Sequence, residues 1–174
     1  NISVEKVSNR TRQSYKTLPA MLDNHTNTKQ MSSHYNKLDQ DIIITTDSVF
    51  DNISFDSDAD SWIFNFKNNI SLLASTLWRL LKDDEIILVS ADHGQQFGLP
   101  KPVDAVDELS TLLTEQRITK IKIKKKTADL ILTLTGNFEI EIFISSGGYE
   151  SYNLHVDNKQ YIGMGMGDIA IFNN

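Results

Sequence analysis

Four histidines and 23 carboxylates are the side chains of this sequence that could move a proton or hold a metal, and there is no cysteine. Disulfides, thiolate metal sites and a cysteine nucleophile are thereby excluded. The most suggestive cluster is Asp92-His93-Gly94-Gln95. It falls at the expected end of a strand, in a loop, where functional side chains are often displayed. An imidazole suits acid-base work near neutral pH, and Asp92 could orient His93 if the chain folded back. Neighbours on an extended chain point opposite ways, however, so adjacency alone makes no dyad. The blander expectation is a loop histidine that satisfies a backbone carbonyl.

His155 and Asp157 stand two apart on an expected strand, hence on one face, and could give zinc two ligands, with His93 and Glu150 as the further donors required. The alternative is a surface-strand pair. Asp56-x-Asp58-x-Asp60 imitates the start of a calcium loop, but Ser61 stands where a glycine is needed and Lys67 where a bidentate glutamate is needed. A solvated hairpin turn is expected there. Ser145-Ser146-Gly147-Gly148 lacks the G-x-S-x-G frame and the strand-to-helix turn of a serine nucleophile, so it reads as a tight turn, with Glu150 at its edge. Gly163, Gly165 and Gly167 alternate with Met164 and Met166; on a strand they share a face and admit a close backbone or aromatic ring. A dinucleotide site would need a helix after them. In Lys120–Lys126, Ile121 and Ile123 alternate with Lys120, Lys122 and Lys124, the pattern of a solvent-facing strand whose lysines discourage edge pairing; no aromatic is present to stack on a base. No catalytic centre, cofactor site or metal site is expected.

The elements that would position these residues are mostly strands. Ile42–Thr45 and Val49–Phe55 are β-rich, Trp62, Phe64 and Phe66 alternate as one aromatic face, Ile70–Leu80 reads as a further strand, and Glu85–Ser90 follows a turn at Lys82–Asp84. After Pro100 and Pro102 comes one principal helix, over about residues 104–115. Asp104 is placed to cap it, and Val103, Val106, Leu109, Leu112 and Leu113 form its apolar stripe. Strands at Arg117–Lys125, Leu130–Thr135, Phe138–Ile144, Tyr149–Val156 and Tyr161–Ile171 complete the chain. Two runs of strands around one helix, without βα repeats, define an α+β class built mostly of antiparallel hairpins and meanders.

The 174 residues suit a single core, and 40% hydrophobic residues suffice to form one. Charge divides the chain. Residues 1–40 carry six Lys/Arg and three Asp/Glu, a net of +3, so the stated −6 leaves −9 for residues 41–174. The expected organisation is a polar, basic arm over 1–40 and an acidic domain over 41–174. Val4, Val7, Tyr15, Leu18 and Leu22 could line a short helix in the arm, stopped near Pro19, and the opening on Asn leaves Met21 or Met31 as a possible start. The acidic body repels nucleic acid and attracts basic proteins. There is neither an apolar run of membrane-spanning length nor a signal-peptide core, which makes a cytoplasmic location the default.

TLWRLL, ADHGQQFGLPKPVDA with the helix it opens, and TADLILTLTGNFEIEIFISSGGYESYNL together resemble a family of small bacterial domains of unknown function, over about residues 48–172. The resemblance implies a fold and a bacterial source but no activity. Some such domains resemble the immunity proteins encoded beside secreted toxins. The expected function is therefore non-enzymatic: an antitoxin-like immunity protein that binds a basic toxin domain through its acidic surface, with Asp92, His93, Gln95, Tyr149 and Glu150 as partner-contacting residues. The alternatives are a small hydrolase or metal-dependent enzyme centred on His93, and an accessory subunit of a larger assembly.

Overall fold

The computed structural model describes residues 36–173, and the expected arm helix lies outside them. The alternating apolar residues form strands β1 (Asn36–Lys37), β2 (Ile42–Asp56), β3 (Ser61–Phe66), β4 (Ile70–Ala74), β5 (Trp78–Lys82) and β6 (Glu85–Val89). A 3₁₀ turn at Ser90–Asp92 and the helix α1 (Ala105–Leu113) come next. They are followed by β7 (Arg117–Ile123), β8 (Leu130–Leu134), β9 (Phe138–Ile142), β10 (Tyr152–Val156), β11 (Lys159–Met164) and β12 (Asp168–Asn173). The protein is thus mostly antiparallel sheet with one helix of more than a single turn, and the sheet dominates. No helix among the described residues is long and apolar enough to cross a membrane.

The strands hydrogen-bond in the order β1-β12-β11-β10-β4-β3-β2-β7-β8-β9-β5-β6. The two β-rich stretches expected around Asp47 are one continuous strand, β2, and this strand makes the architecture. Its first half pairs with β7 and its second half with β3. The sheet therefore bends along β2 into sheet I (β1, β12, β11, β10, β4, β3 and the end of β2) and sheet II (the start of β2, β7, β8, β9, β5 and β6). The register shifts between Phe50 and Asn52. One extra residue reverses the faces of everything after it, and so Ser48 and Phe50 before the shift and Ile53 after it all point into the core.

The inner faces of the two sheets meet. Trp78 of β5 stands edge-on to Trp62 and Phe64 of β3, with ring centroids 5.0 and 5.5 Å apart. Leu72, Leu154, Leu80, Ile121, Leu132 and Ile140 are fully buried in the same cluster. The helix carries Leu109 and Leu113 against this core and packs on both β2 and β6, the two margins of sheet II. It fills the gap the sheet leaves and partly shields the β6 edge from pairing with other chains.

Three expected strands are corrected. Ile70–Leu80 breaks at Ser75–Leu77, where the chain leaves sheet I for sheet II. Tyr161–Ile171 breaks at a 3₁₀ turn, Gly165–Gly167, so the three glycines do not share one strand face. Close approach is nevertheless what each permits: a Cβ on Gly163 would lie 2.2 Å from the Tyr152 ring, on Gly165 2.3 Å from the Gly148 nitrogen, and on Gly167 2.1 Å from the Lys126 carbonyl. The lysine-rich strand β7 is interior, flanked by β2 and β8, so Lys120 and Lys122 face solvent from the sheet's outer face and do not protect an edge. The turn expected at Ser145–Gly148 belongs to a longer loop between β9 and β10, in which Ser146 Oγ accepts the amides of Gly148 and Tyr149 at 3.1 and 2.9 Å.

Candidate functional site

The loop after β6 is built around backbone hydrogen bonds. Gly94 donates to the Val103 carbonyl and Val103 to the Gln95 carbonyl, each at 2.8 Å, which closes residues 95–102 into a tied excursion. His93 stands at its root. Its Nδ1 accepts the amide of Ala105 at 3.2 Å, and its ring packs edge-on to Phe55 and Trp62 at 5.1 and 5.2 Å. The imidazole thus satisfies one of the free amides at the first turn of α1, and Asp104 takes two more, from Val106 and Asp107, at 3.1 Å each. The sequence suggested a backbone carbonyl as the partner of His93; it is a backbone amide, because the loop returns the helix start to this ring. Asp104→Ala is expected to cost about 1 kcal/mol, read as a shift of the urea midpoint at unchanged slope, and Asp104→Asn to retain most of the cap.

The two predicted contact segments, Asp92–Gln95 and Tyr149–Glu150, come to one end of the molecule. The crossing Ser75–Leu77 and the start of β5 join them: Trp78 donates its amide to Ser90 Oγ at 3.0 Å, while Ser75 donates its own to the Ser151 carbonyl at 2.9 Å. The β2–β3 hairpin tip is tied to the same crossing by a hydrogen bond of 2.7 Å between Ser61 Oγ and Ser75 Oγ. A shallow cleft of about 290 Å³ lies there, lined by Asp60, Trp62, Ser75–Leu77, Ser90 and Ala91. No hydrogen bond or ion pair among the described residues joins His93 to Asp92, Glu150 or His155. His155 and Asp157 instead line a separate cavity on sheet I. The described residues hold no group of three or more metal-ligating side chains. Asp56 turns its carboxylate onto its own hairpin, accepting the amides of Asp58 and Ala59 at 3.0 and 3.2 Å.

The sequence reading missed residues that complete this end. Phe97 is 71% exposed at the tip of the tied loop and Leu77 is 43% exposed in the Ser75–Leu77 crossing; they join Tyr149, 80% exposed, which the sequence had named. Phe97 adopts φ 43°, unusual for a bulky side chain, and follows from its place in Gly-Gln-Gln-Phe-Gly, where the chain must reverse tightly. That motif was the available signal. The surrounding carboxylates Asp58, Asp60, Asp92 and Glu150 take part in no ion pair with a described residue. The paired ones are different: Lys67 holds Asp51 and Arg117 holds Asp47, and the Lys125 amide with Lys122, 3.0 Å away, holds Asp41. Each of these pairings keeps its carboxyl below the usual range. A second acidic cleft, about 400 Å³, contains Asp83, Asp84 and Glu139 at the β5–β6 turn. Burial, followed by the charge of Glu141, raises the Glu139 carboxyl there, and no exposed aromatic lines it.

Compared with models of protein families, with curated proteins and with solved structures, the chain matches none.

Proposed function

We propose that the domain is a protein-binding module that receives a basic partner on the end formed by the β2–β3 tip, the 93–104 loop and the Tyr149 loop. Following the resemblance drawn from the sequence, the partner is a bacterial toxin domain, and the protein acts as its immunity protein. One observation carries the reading: exposed Phe97, Leu77 and Tyr149 share this end with Asp58, Asp60, Asp92 and Glu150, which form no ion pair with another described residue. Aromatic anchors among charges that are not internally neutralised form the pattern of a protein interface, in which the rings fill pockets and the charges steer encounter. His93 contributes by fixing the loop and the helix start.

The test is titration of the protein with the product of the adjacent gene. Binding is expected at low salt, with an association rate that falls as ionic strength rises. Phe97→Ala combined with Tyr149→Ala should weaken the complex by about 30-fold or more, the loss of two interface anchors. Absence of a complex at low salt, or a complex indifferent to both substitutions and to Asp58→Asn with Asp60→Asn, overturns the proposal.

A further inference from the structure

The outer face of sheet I is a different kind of surface. Asn52, Asn65, Ser71, His155, Gln160 and Phe172 stand opposite one another in a single row across β2, β3, β4, β10, β11 and β12. The row beside it is Ser54, Ile63, Leu73, Asn153, Ile162 and Ala170. Neither row contains a Lys, Arg, Asp or Glu, in a chain of which 23% is charged. The matching rows of sheet II carry Lys120, Lys122, Glu139, Glu141 and Arg79.

The polar row opens into a broad, shallow depression of about 560 Å³ whose polar lining is Asn65, Asn68, Asn69, Ser71, His155 and Asp157. That volume is of the order that holds a small ligand. Its rim is fixed: Asn68, Asn69 and Asp157 all occupy the left-handed region, with φ of 56°, 56° and 53°. The Asp157 amide ties the two turns together by donating to the Asn69 carbonyl at 3.2 Å. The amides are oriented as well. Asn65 donates to Asn52 Oδ1 at 2.9 Å, and Gln160 donates to Asn153 Oδ1 at 3.0 Å. The Asn65 and Gln160 carbonyl oxygens are thus left to accept and the Asn153 amide nitrogen to donate, while Ser71 Oγ and the His155 ring have no hydrogen bond to another described side chain.

We infer that this face is a binding site for a neutral saccharide. Amide, hydroxyl and imidazole groups both donate and accept, as sugar hydroxyls do, and a well-placed group of them rejects a ligand that leaves them unpaired. The apolar row beside them, with Leu73 41% exposed, offers a bed for the C–H face of a pyranose. An anionic ligand finds no cation among the described lining residues: Lys67, next to them in the chain, is taken by Asp51, and Asp157 repels negative charge.

The ¹⁵N-labelled full chain is titrated with maltose, cellobiose, lactose and N,N′-diacetylchitobiose, with glucuronate as the anionic control. The expected result is saturable shifts from at least one neutral disaccharide, centred on Asn65, Ser71, Asn153, His155 and Gln160. Asn65→Ala and His155→Ala each weaken binding about tenfold, the effect of one or two lost hydrogen bonds, while the rest of the spectrum keeps its folded dispersion. A flat response to every neutral sugar, shifts confined to another surface, or a response to glucuronate alone overturns the inference. So do shifts of this face with protein concentration in the absence of sugar, the sign of a second copy seated there.

Discussion

Trp78→Ala is expected to lower stability by about 3–5 kcal/mol, the cost of emptying a large aromatic site that cannot collapse, while Trp78→Phe costs far less than the lost ring area suggests. Trp78 is fully buried where the two sheets meet and touches the rings of both Trp62 and Phe64. Sheet I is contacted there by the first residue of the strand that has just crossed into sheet II, so the cavity would open at the junction of the fold. Its indole Nε1 has no hydrogen-bond partner among the described residues. A buried donor left unmade costs about 1–3 kcal/mol, and phenylalanine removes that donor while keeping most of the ring. Urea unfolding of the variants decides it: a Trp78→Phe protein as unstable as Trp78→Ala would mean that the indole nitrogen is satisfied in solution and that ring shape dominates.

Much of the fold was legible wherever local pattern and tertiary demand agree. The alternation in Ser61–Phe66 and Phe138–Ile142 gave strands in which Trp62, Phe64 and Phe66, and Phe138, Ile140 and Ile142, are the buried face, and Asp104 with Leu109 and Leu113 gave a capped helix on the core. The failures have a common cause. Asp47–Ser48 looks like a break, yet Ser48 is wholly buried and donates to the Lys67 carbonyl, so a polar residue is accommodated inside a strand by a partner 19 positions away. Ser75–Leu77 looks like strand, yet the chain changes sheets there, and this crossing depends on the position of β9, a strand encoded some sixty residues later. Period alone cannot report such a choice.

The placement of the candidate residues was legible only in part. Asp92, His93, Gln95, Tyr149 and Glu150 do share one end of the protein, but what joins them is backbone and serine hydrogen bonding through Ser75, Ser90 and Ser151, residues with no periodic signature. The amide row on sheet I was invisible for the same reason. Asn65 with Ser71 and His155 with Gln160 belong to two hairpins distant in sequence, which become neighbours only where β4 pairs with β10. Surfaces assembled across strands are set by pairing, and pairing is the least local property of a sheet.

Gly163→Ala tests that pairing directly. Gly163 stands opposite Tyr152 in the β10–β11 ladder, and an added Cβ would lie 2.2 Å from Cε1 and 2.5 Å from Cζ of the ring. The ring has nowhere to go: Tyr152 is 1% exposed and its hydroxyl donates to the Ala128 carbonyl at 2.8 Å, in the β7–β8 turn of the other sheet. The methyl must therefore displace β11 or break that hydrogen bond, and the expected loss is at the upper end of the 1–3 kcal/mol typical of overpacking, about 3 kcal/mol. Gly148→Ala, where a Cβ meets nothing within 4 Å, is the near-neutral control. Tyr152→Leu alone is destabilising through lost packing, but it clears the space Gly163→Ala needs, so the double variant should be more stable than the sum of the two losses predicts by about 1–2 kcal/mol. Strict additivity of the two, measured by urea midpoints at constant slope, would mean that β11 shifts to admit the methyl without calling on the ring, and that the stacking of Tyr152 over Gly163 does not hold β10 and β11 in register.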